Sequence, residues 1–317
     1  MPKILVTTDS AHPGDEAHDL LTGAGHEVVY STGVEGEALD GVEGAIVANN
    51  PLTARVLERA TALRAIVRAG VGYDTVDVGA ATRLGIRVSN LPGVNSNAVA
   101  EYTMGLLLAA SRRLVDTAVG VEQGLWPRQS GRELRGAALG LVGYGRAARA
   151  VVPLARAFGM RVLCTTEHPH ENAGEVRFVG LAELLRESDY VSLHTALTPA
   201  TRRLIGADAL AAMKPTAVLV NTARGAIVDE AALARAVATG RIAGAQLDVT
   251  GTEPLPPDSP LRGVAGITVY SHMAGQTADA RRAAAIGAAR ELLAALRGEP
   301  ESPVNHPTDH SGTEEHT

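Results

Sequence analysis

Short β-branched runs separated by polar, helix-prone stretches open the chain: Ile4-Leu-Val-Thr, Glu27-Val-Val-Tyr, Gly44-Ala-Ile-Val-Ala, Leu63-Arg-Ala-Ile-Val and Ile86-Arg-Val-Ser. That rhythm predicts βαβ units and a parallel sheet. A long apolar helix follows, introduced by the polar starters Asn95-Ser-Asn and closed by basic residues near Arg113. A second series then begins, with strands predicted at Ala138-Leu-Gly-Leu-Val, Arg161-Val-Leu-Cys-Thr, Tyr190-Val-Ser-Leu-His, Ala217-Val-Leu-Val-Asn, Ala243-Gly-Ala-Gln-Leu-Asp and Gly266-Ile-Thr-Val-Tyr. Six parallel strands with intervening helices suit a nucleotide-binding sheet. The Ala/Arg-rich stretch Thr277 to Leu296 reads as one last helix, broken at Gly298-Glu-Pro, and the segment from Glu301 lacks the large apolar residues needed for packing.

Composition narrows the class. The chain has 317 residues, 45% apolar and 20% charged, enough for two domains with cores of their own. Its net charge of −6, without a Lys/Arg-rich block, offers nucleic-acid phosphates no general attraction, and 3% aromatic residues leave few platforms for base stacking. Nucleic-acid and membrane partners are therefore not expected, since no apolar run is long enough to span a bilayer. The start reads as a strand entered at once, without the profile of a signal peptide, and the single cysteine, Cys164, agrees with a reducing compartment. A cytoplasmic protein is expected.

Candidate chemistry begins where the strand Ala138 to Val142 runs into Gly143-Tyr144-Gly145-Arg146-Ala147-Ala148 and then a helix. In a dinucleotide site the first glycine permits the tight turn. The second lets backbone approach the pyrophosphate, and the third small residue, here Ala148, lets helix and strand pack closely. Amides at the helix start would hold the phosphate charge. Glu167, near the end of the next strand, is the candidate acid for the adenosine ribose hydroxyls, with Thr166 as the alternative register; a carboxylate there favours NAD over NADP. His168 and His170 have metal-ligand spacing but no clustered companions, so no metal is expected.

The segments Arg68-Ala-Gly-Val71-Gly72-Tyr-Asp, Asn95-Ser-Asn-Ala-Val-Ala-Glu, His194-Thr195-Ala-Leu-Thr-Pro199, Val220-Asn-Thr222-Ala223-Arg224-Gly-Ala-Ile-Val-Asp-Glu, Leu247-Asp248-Val with Glu253-Pro-Leu-Pro, and Ser271-His272-Met-Ala-Gly275 closely resemble the D-isomer-specific 2-hydroxyacid dehydrogenase family. The resemblance implies an α/β fold of two Rossmann-like domains with parallel sheets, the NAD-binding domain inserted in a flavodoxin-like substrate domain. The layout it suggests is 1–94 for the first part of the substrate domain, 95–280 for the NAD-binding domain and 281–305 for the return to the substrate domain; from its composition, 306–317 is expected to be a mobile tail. It implies Arg224, Glu253 and His272 as catalytic residues. Arg224 would fork onto the substrate carboxylate, His272 would exchange a proton with the substrate oxygen, and Glu253 would orient the imidazole and favour its protonated form. Backbone amides of Val71 and Gly72 would join Arg224 on the anionic substrate. Gly143, Tyr144, Gly145, Arg146, Ala147, Glu167, Thr195, Pro199, Thr222, Ala223, Asp248, His272 and Gly275 would line the NAD, with Asp248 near the nicotinamide amide. The resemblance also implies a homodimer formed through the cofactor domains, for which the Ala98 to Arg113 helix is a candidate contact, although a buried helix within its domain would explain the same apolarity.

Departures from the family pattern bear on substrate. Glu253 is acidic where formate dehydrogenases carry Gln, Val71 stands where phosphite-oxidising relatives carry Lys, and Val47-Ala-Asn-Asn lacks the second arginine that phosphoglycerate dehydrogenases usually bring alongside the one matching Arg68. A small 2-oxo acid and its D-2-hydroxy acid are the expected pair. An NAD-sensing scaffold of the corepressor type, and a dehydrogenase of a phosphonate or of phosphoglycerate, are the alternatives. Little chain follows Leu296, so a regulatory amino-acid-binding domain is not expected. Ser271 replaces the usual proline before the histidine, and Thr250 the usual aromatic, which affects pocket shape more than chemistry.

Overall fold

The computed structural model describes residues 1–35, 38–168, 174 and 176–307. His170 and nearly all of the expected tail lie outside the described residues. The chain forms two compact units, one from Met1–Asn95 with Thr277–Thr317 and one from Ser96–Gln276.

The first unit carries β1 (Lys3–Val6), β2 (Glu27–Tyr30), β3 (Val42–Val47), β4 (Ala65–Arg68) and β5 (Arg87–Ser89), ordered β2-β1-β3-β4-β5 with every pairing parallel. This is the flavodoxin-like winding. Alternation along β1 sends Leu5 to one core layer, with Leu57, Ile66 and Val88, and Ile4 and Val6 to the other. The second layer is closed by the helix Ala278–Leu296, which buries Ala285, Ala288, Ala289 and Leu292 on the sheet. Small residues let this helix lie close, and a Cβ added at Gly44 would sit 3.1 Å from Leu292. The boundary falls at Gln276/Thr277 where the sequence suggested 280/281, because Thr277 is the cap of that helix, its Oγ1 accepting from the Ala280 N–H at 3.1 Å. Buried Glu291 and Asn305 secure the following segment: the Glu291 carboxylate accepts from the Glu301 and Ser302 amides, and Asn305 Oδ1 from the Val88 amide.

The second unit holds β6 (Ala138–Val142), β7 (Arg161–Thr165), β8 (Val176–Phe178), β9 (Tyr190–Leu193), β10 (Val218–Asn221), β11 (Gly244–Leu247) and β12 (Ile267–Val269). Their order is β12-β11-β10-β9-β6-β7-β8, again all parallel. Among the described residues the sheet therefore has seven strands where six were expected. The missed strand, β8, is three residues at the sheet edge, with only Val176 buried, too short for an alternation signal. β6 pairs on one side with β7 and on the other with β9, so the winding reverses beside it. Ligands of such sheets bind outside the carboxyl ends of the strands at that reversal. The long apolar helix, Ser96–Arg112, belongs to this unit and packs into the same core as β6 and the helix Arg146–Ala157. Among the described residues no helix is long and apolar enough to cross a membrane.

Candidate active site

Gly143 sits at the reversal, with φ of +97°. A side chain there would be strained by the backbone and would also press on β9, its Cβ 2.6 Å from the His194 carbonyl oxygen. Gly145 caps the helix Arg146–Ala157 without a side-chain hydrogen bond, and a Cβ built on it meets nothing within 4 Å. The helix start is thus an open cradle of backbone amides, while Ala148 beneath it is fully buried against the sheet. These features fit a dinucleotide pyrophosphate. Tyr144 is half-buried and meets Phe178 edge-on at 5.2 Å; Arg146 is exposed and Ala147 half-buried. Glu167 is exposed just past the end of β7, and Thr166 Oγ1 accepts from the His168 amide at 3.2 Å. Thr195 and Pro199 follow β9, Thr222 and Ala223 follow β10, and Gly275 lies in the turn after His272, all in the same unit. His194 beside Gly143 is held neutral, burial pushing its pKa down to about 4, and its Nε2 lies 2.9 Å from Ser192 Oγ.

Three loops at the carboxyl ends of β10, β11 and β12 present the catalytic candidates. After β10, fully buried Asn221 shapes the turn that carries Arg224: its Oδ1 accepts from the Ala223 amide at 3.0 Å and its Nδ2 donates to the Arg224 carbonyl at 2.9 Å. The next residue, Gly225, is buried, and any Cβ there would run into the Thr250 and Gly251 backbone. That close approach brings the Arg224 segment against the loop bearing Glu253.

In that loop the Thr250 amide donates to Glu253 Oε1 at 3.0 Å, and His272 Nδ1 pairs with Glu253 Oε2 at 2.8 Å. Burial alone would raise the Glu253 carboxyl. The hydrogen bonds from His272 and the Thr250 amide, with the charges of His272 and Arg224, outweigh it and hold the group below its ordinary value. Arg224 is therefore electrostatically coupled to the pair. His272 itself adopts φ of +60°, a left-handed conformation uncommon outside glycine. Asp248, 1% exposed, secures it: the Met273 and Ala274 amides donate to its two carboxylate oxygens at 2.7 and 2.9 Å, and the His272 amide donates to its carbonyl at 2.9 Å.

A groove lined by Glu253, Leu255, Tyr270, His272 and Met273 opens beside the pair. Another hollow, lined by Tyr190, Val218 and Gly244, lies at the opposite, amino-terminal ends of the strands, away from these loops. Val71 and Gly72 belong to the other unit, in the loop after β4, where Val71 is 40% exposed and its carbonyl accepts from Asn90 Nδ2 at 2.6 Å. Sequence reasoning passed over Asn221, Gly225, Glu230 and the backbone of Thr250. Only Asn221, a turn-forming residue directly after an apolar run, carries a local signal. Among the described residues no group of three or more His, Cys, Asp or Glu is arranged to hold a metal ion.

A reversal of strand order under a glycine-bearing turn and an open helix start defines a dinucleotide-binding protein of the Rossmann type. Residues 104–274 match the model of the D-isomer specific 2-hydroxyacid dehydrogenase, NAD binding domain, more than half of the chain. The chain belongs to this family of NAD-dependent oxidoreductases. It is 40% identical over 319 residues to the D-3-phosphoglycerate dehydrogenase of Methanocaldococcus jannaschii, covering 97% of this chain but 60% of that protein's length. It is 44% identical over 257 residues to the glyoxylate reductase of Aeropyrum pernix, covering 77% of this chain and 76% of that one. Among solved structures, the TT0316 protein from Thermus thermophilus superposes with a TM-score of 0.87 at 41% identity, over 96% of this chain and all of that chain.

Proposed function

We propose that the protein interconverts a small 2-oxo acid and its D-2-hydroxy acid, with His272 exchanging the proton, Glu253 orienting it and Arg224 holding the substrate carboxylate. The observation that carries this reading is the 2.8 Å contact between His272 Nδ1 and Glu253 Oε2. It commits one ring nitrogen to an ionised carboxylate and leaves Nε2 to meet the substrate oxygen. NAD, when bound, supplies or takes up the hydride at the substrate C2. In reduction His272 Nε2 gives its proton to the oxygen as C2 becomes tetrahedral; in oxidation the same nitrogen removes the hydroxyl proton. The Arg224 guanidinium fixes the carboxylate and polarises the 2-oxo group. The Val71 and Gly72 amides are assigned to anion binding.

The turn Gly143-Tyr144-Gly145-Arg146-Ala147 would hold the pyrophosphate, Glu167 the ribose hydroxyls, and Thr195, Pro199, Thr222, Ala223, Asp248 and Gly275 the remainder of NAD. For the substrate side chain we favour a short neutral group. The Arg68 guanidinium is already engaged, Nη2 donating to Asn49 Oδ1 at 2.6 Å and Nη1 to the Ala69 carbonyl at 3.3 Å, and Ala48-Asn-Asn brings no second guanidinium for a dianionic phosphate. Removal of one charge-assisted partner costs about 1.5–3 kcal/mol, roughly tenfold to a hundredfold in affinity.

The test is a panel of glyoxylate, hydroxypyruvate, longer 2-oxo acids, a phosphonate and the 3-phosphoglycerate couple, each with NADH or NADPH or the oxidised form. The expected result is the highest kcat/KM with a short 2-oxo acid and NADH. Preference for the phosphorylated substrate would overturn the side-chain assignment, preference for NADPH the role of Glu167, and NADH binding without turnover the enzyme itself.

We also propose a homodimer in the cytoplasm. The buried thiol of Cys164 suits a reducing compartment. The helix Leu114–Glu122 and the turn after it expose Leu114, Val119, Val121, Leu125 and Trp126, the last at 79%. A patch of that kind on the cofactor unit is what a self-complementary contact uses. Sedimentation equilibrium should return twice the chain mass, with Trp126→Asp shifting it to that of one chain; a wild-type monomer sinks the proposal.

A further inference from the structure

Glu230 opens the helix Glu230–Ala238, where an acid in the first turn is ordinarily explained by the helix dipole alone. Here the cap is already supplied by Asp229, whose Oδ1 accepts from the Ala232 amide at 2.9 Å. The Glu230 carboxylate does something else. Its Oε1 accepts from the Gly251 amide at 2.6 Å, across to the loop that carries Glu253.

Two neighbouring amides of that loop thus serve two carboxylates: Thr250 donates to Glu253 and Gly251 to Glu230. The same stretch of backbone is also met by Gly225, where no Cβ fits. Gly225 and Glu230 both lie on the segment that begins with Arg224. Contact at Gly225 limits how near the two loops come, and the Glu230 bond limits how far apart they move.

We propose that Glu230 is a positioning residue that sets the spacing between the Arg224 segment and the Glu253 loop, and through Glu253 the aim of His272; this rests on the catalytic roles proposed above. That role requires no contact between Glu230 and substrate or cofactor. Hydride and proton transfer need reacting groups held to a fraction of an ångström, so slack between the two loops lowers turnover before it lowers binding.

The experiment compares Glu230→Ala, Glu230→Gln and Glu253→Gln with the wild-type protein, measuring kcat and KM for the preferred 2-oxo acid, NADH affinity by fluorescence titration, and Tm. Glu230→Ala should lose about tenfold in kcat while the NADH Kd and KM stay within about twofold, since a misplacement of roughly 1 Å costs up to a hundredfold. Glu230→Gln keeps a carbonyl acceptor for the Gly251 amide and should recover most of the loss. Unchanged kcat in Glu230→Ala, a loss shared by NADH binding and Tm, or no recovery in Glu230→Gln overturns the positioning role. If Glu253→Gln keeps wild-type kcat, it is the underlying assignment of Glu253 that fails. If Glu253→Gln is impaired and Glu230→Ala is not, only the role of Glu230 falls.

Discussion

Replacing His272 by alanine is expected to lower kcat/KM for 2-oxo acid reduction by at least about a hundredfold, the lower end for removing a general acid or base, while NADH still binds. A hundredfold is about 2.7 kcal/mol of transition-state stabilisation. The size of the effect follows from the role proposed for the imidazole: it is the group whose Nε2 exchanges the proton, and Glu253, which pairs with its Nδ1 and accepts from the Thr250 amide, acts through it. The pH profiles should change with the rate. Reduction needs the proton-bearing imidazole and oxidation the neutral one, and His272→Ala removes the group from both directions. The contribution of ionised Glu253 is fully present above the ordinary carboxylate range and is lost as pH falls through its lowered value, so its failure belongs to the acid end. Wild-type rates from His272→Ala in stopped-flow or steady-state assays would remove the histidine from the mechanism.

Arg224→Ala should be as damaging, by a different route. A guanidinium that both binds the carboxylate and polarises the 2-oxo group contributes to ground state and transition state together, so KM should rise as well as kcat fall, with a combined loss of about a hundredfold or more. Lysine at 224 restores the charge but not the planar fork, and is expected to recover only part of that loss. Removing the Arg224 charge also takes away one of the influences that lower the Glu253 carboxyl, so the acid limb in Arg224→Ala should move to higher pH. The measurement is kcat and KM across pH for the three proteins. Equal activity of the lysine variant and wild type would show that a point charge suffices and that no fork is used.

Much of the architecture is legible in the chain because parallel strands buried on both faces read as apolar runs, and β1, β6, β9 and β10 all do so. β8 is not legible, because an edge strand of three residues with one buried side chain has no period to detect. The first division between the units, suggested at 94/95 by the polar residues that start a long helix, falls at Asn95/Ser96. At the other crossing it is displaced, since helix periodicity runs on from Ala278 without showing that the whole helix packs on the first sheet. In the candidate site, Arg224, Glu253 and His272 stand in motifs that announce them. The groups that fix their geometry do not. Asp248 suggests a cofactor contact from sequence, yet both its oxygens hold the Met273 and Ala274 amides, a pairing between loops that no local pattern encodes. The Gly251 amide on Glu230 and the approach of Gly225 are likewise products of the folded sheet bringing loop ends together.

What Gly225 meets is main chain, not side chain, and this separates two kinds of freedom in the pocket. The atoms in its way are the carbonyl group of Thr250 and the nitrogen of Gly251, present whatever residue occupies position 250. The Thr250 side chain is therefore not what Gly225 meets; it is itself buried and its hydroxyl donates to the Thr252 carbonyl at 2.9 Å, whereas position 225 tolerates nothing beyond hydrogen. An engineer seeking a new substrate shape meets a fixed stop at residue 225, set by main chain, and at residue 250 a side chain whose own backbone amide also holds Glu253.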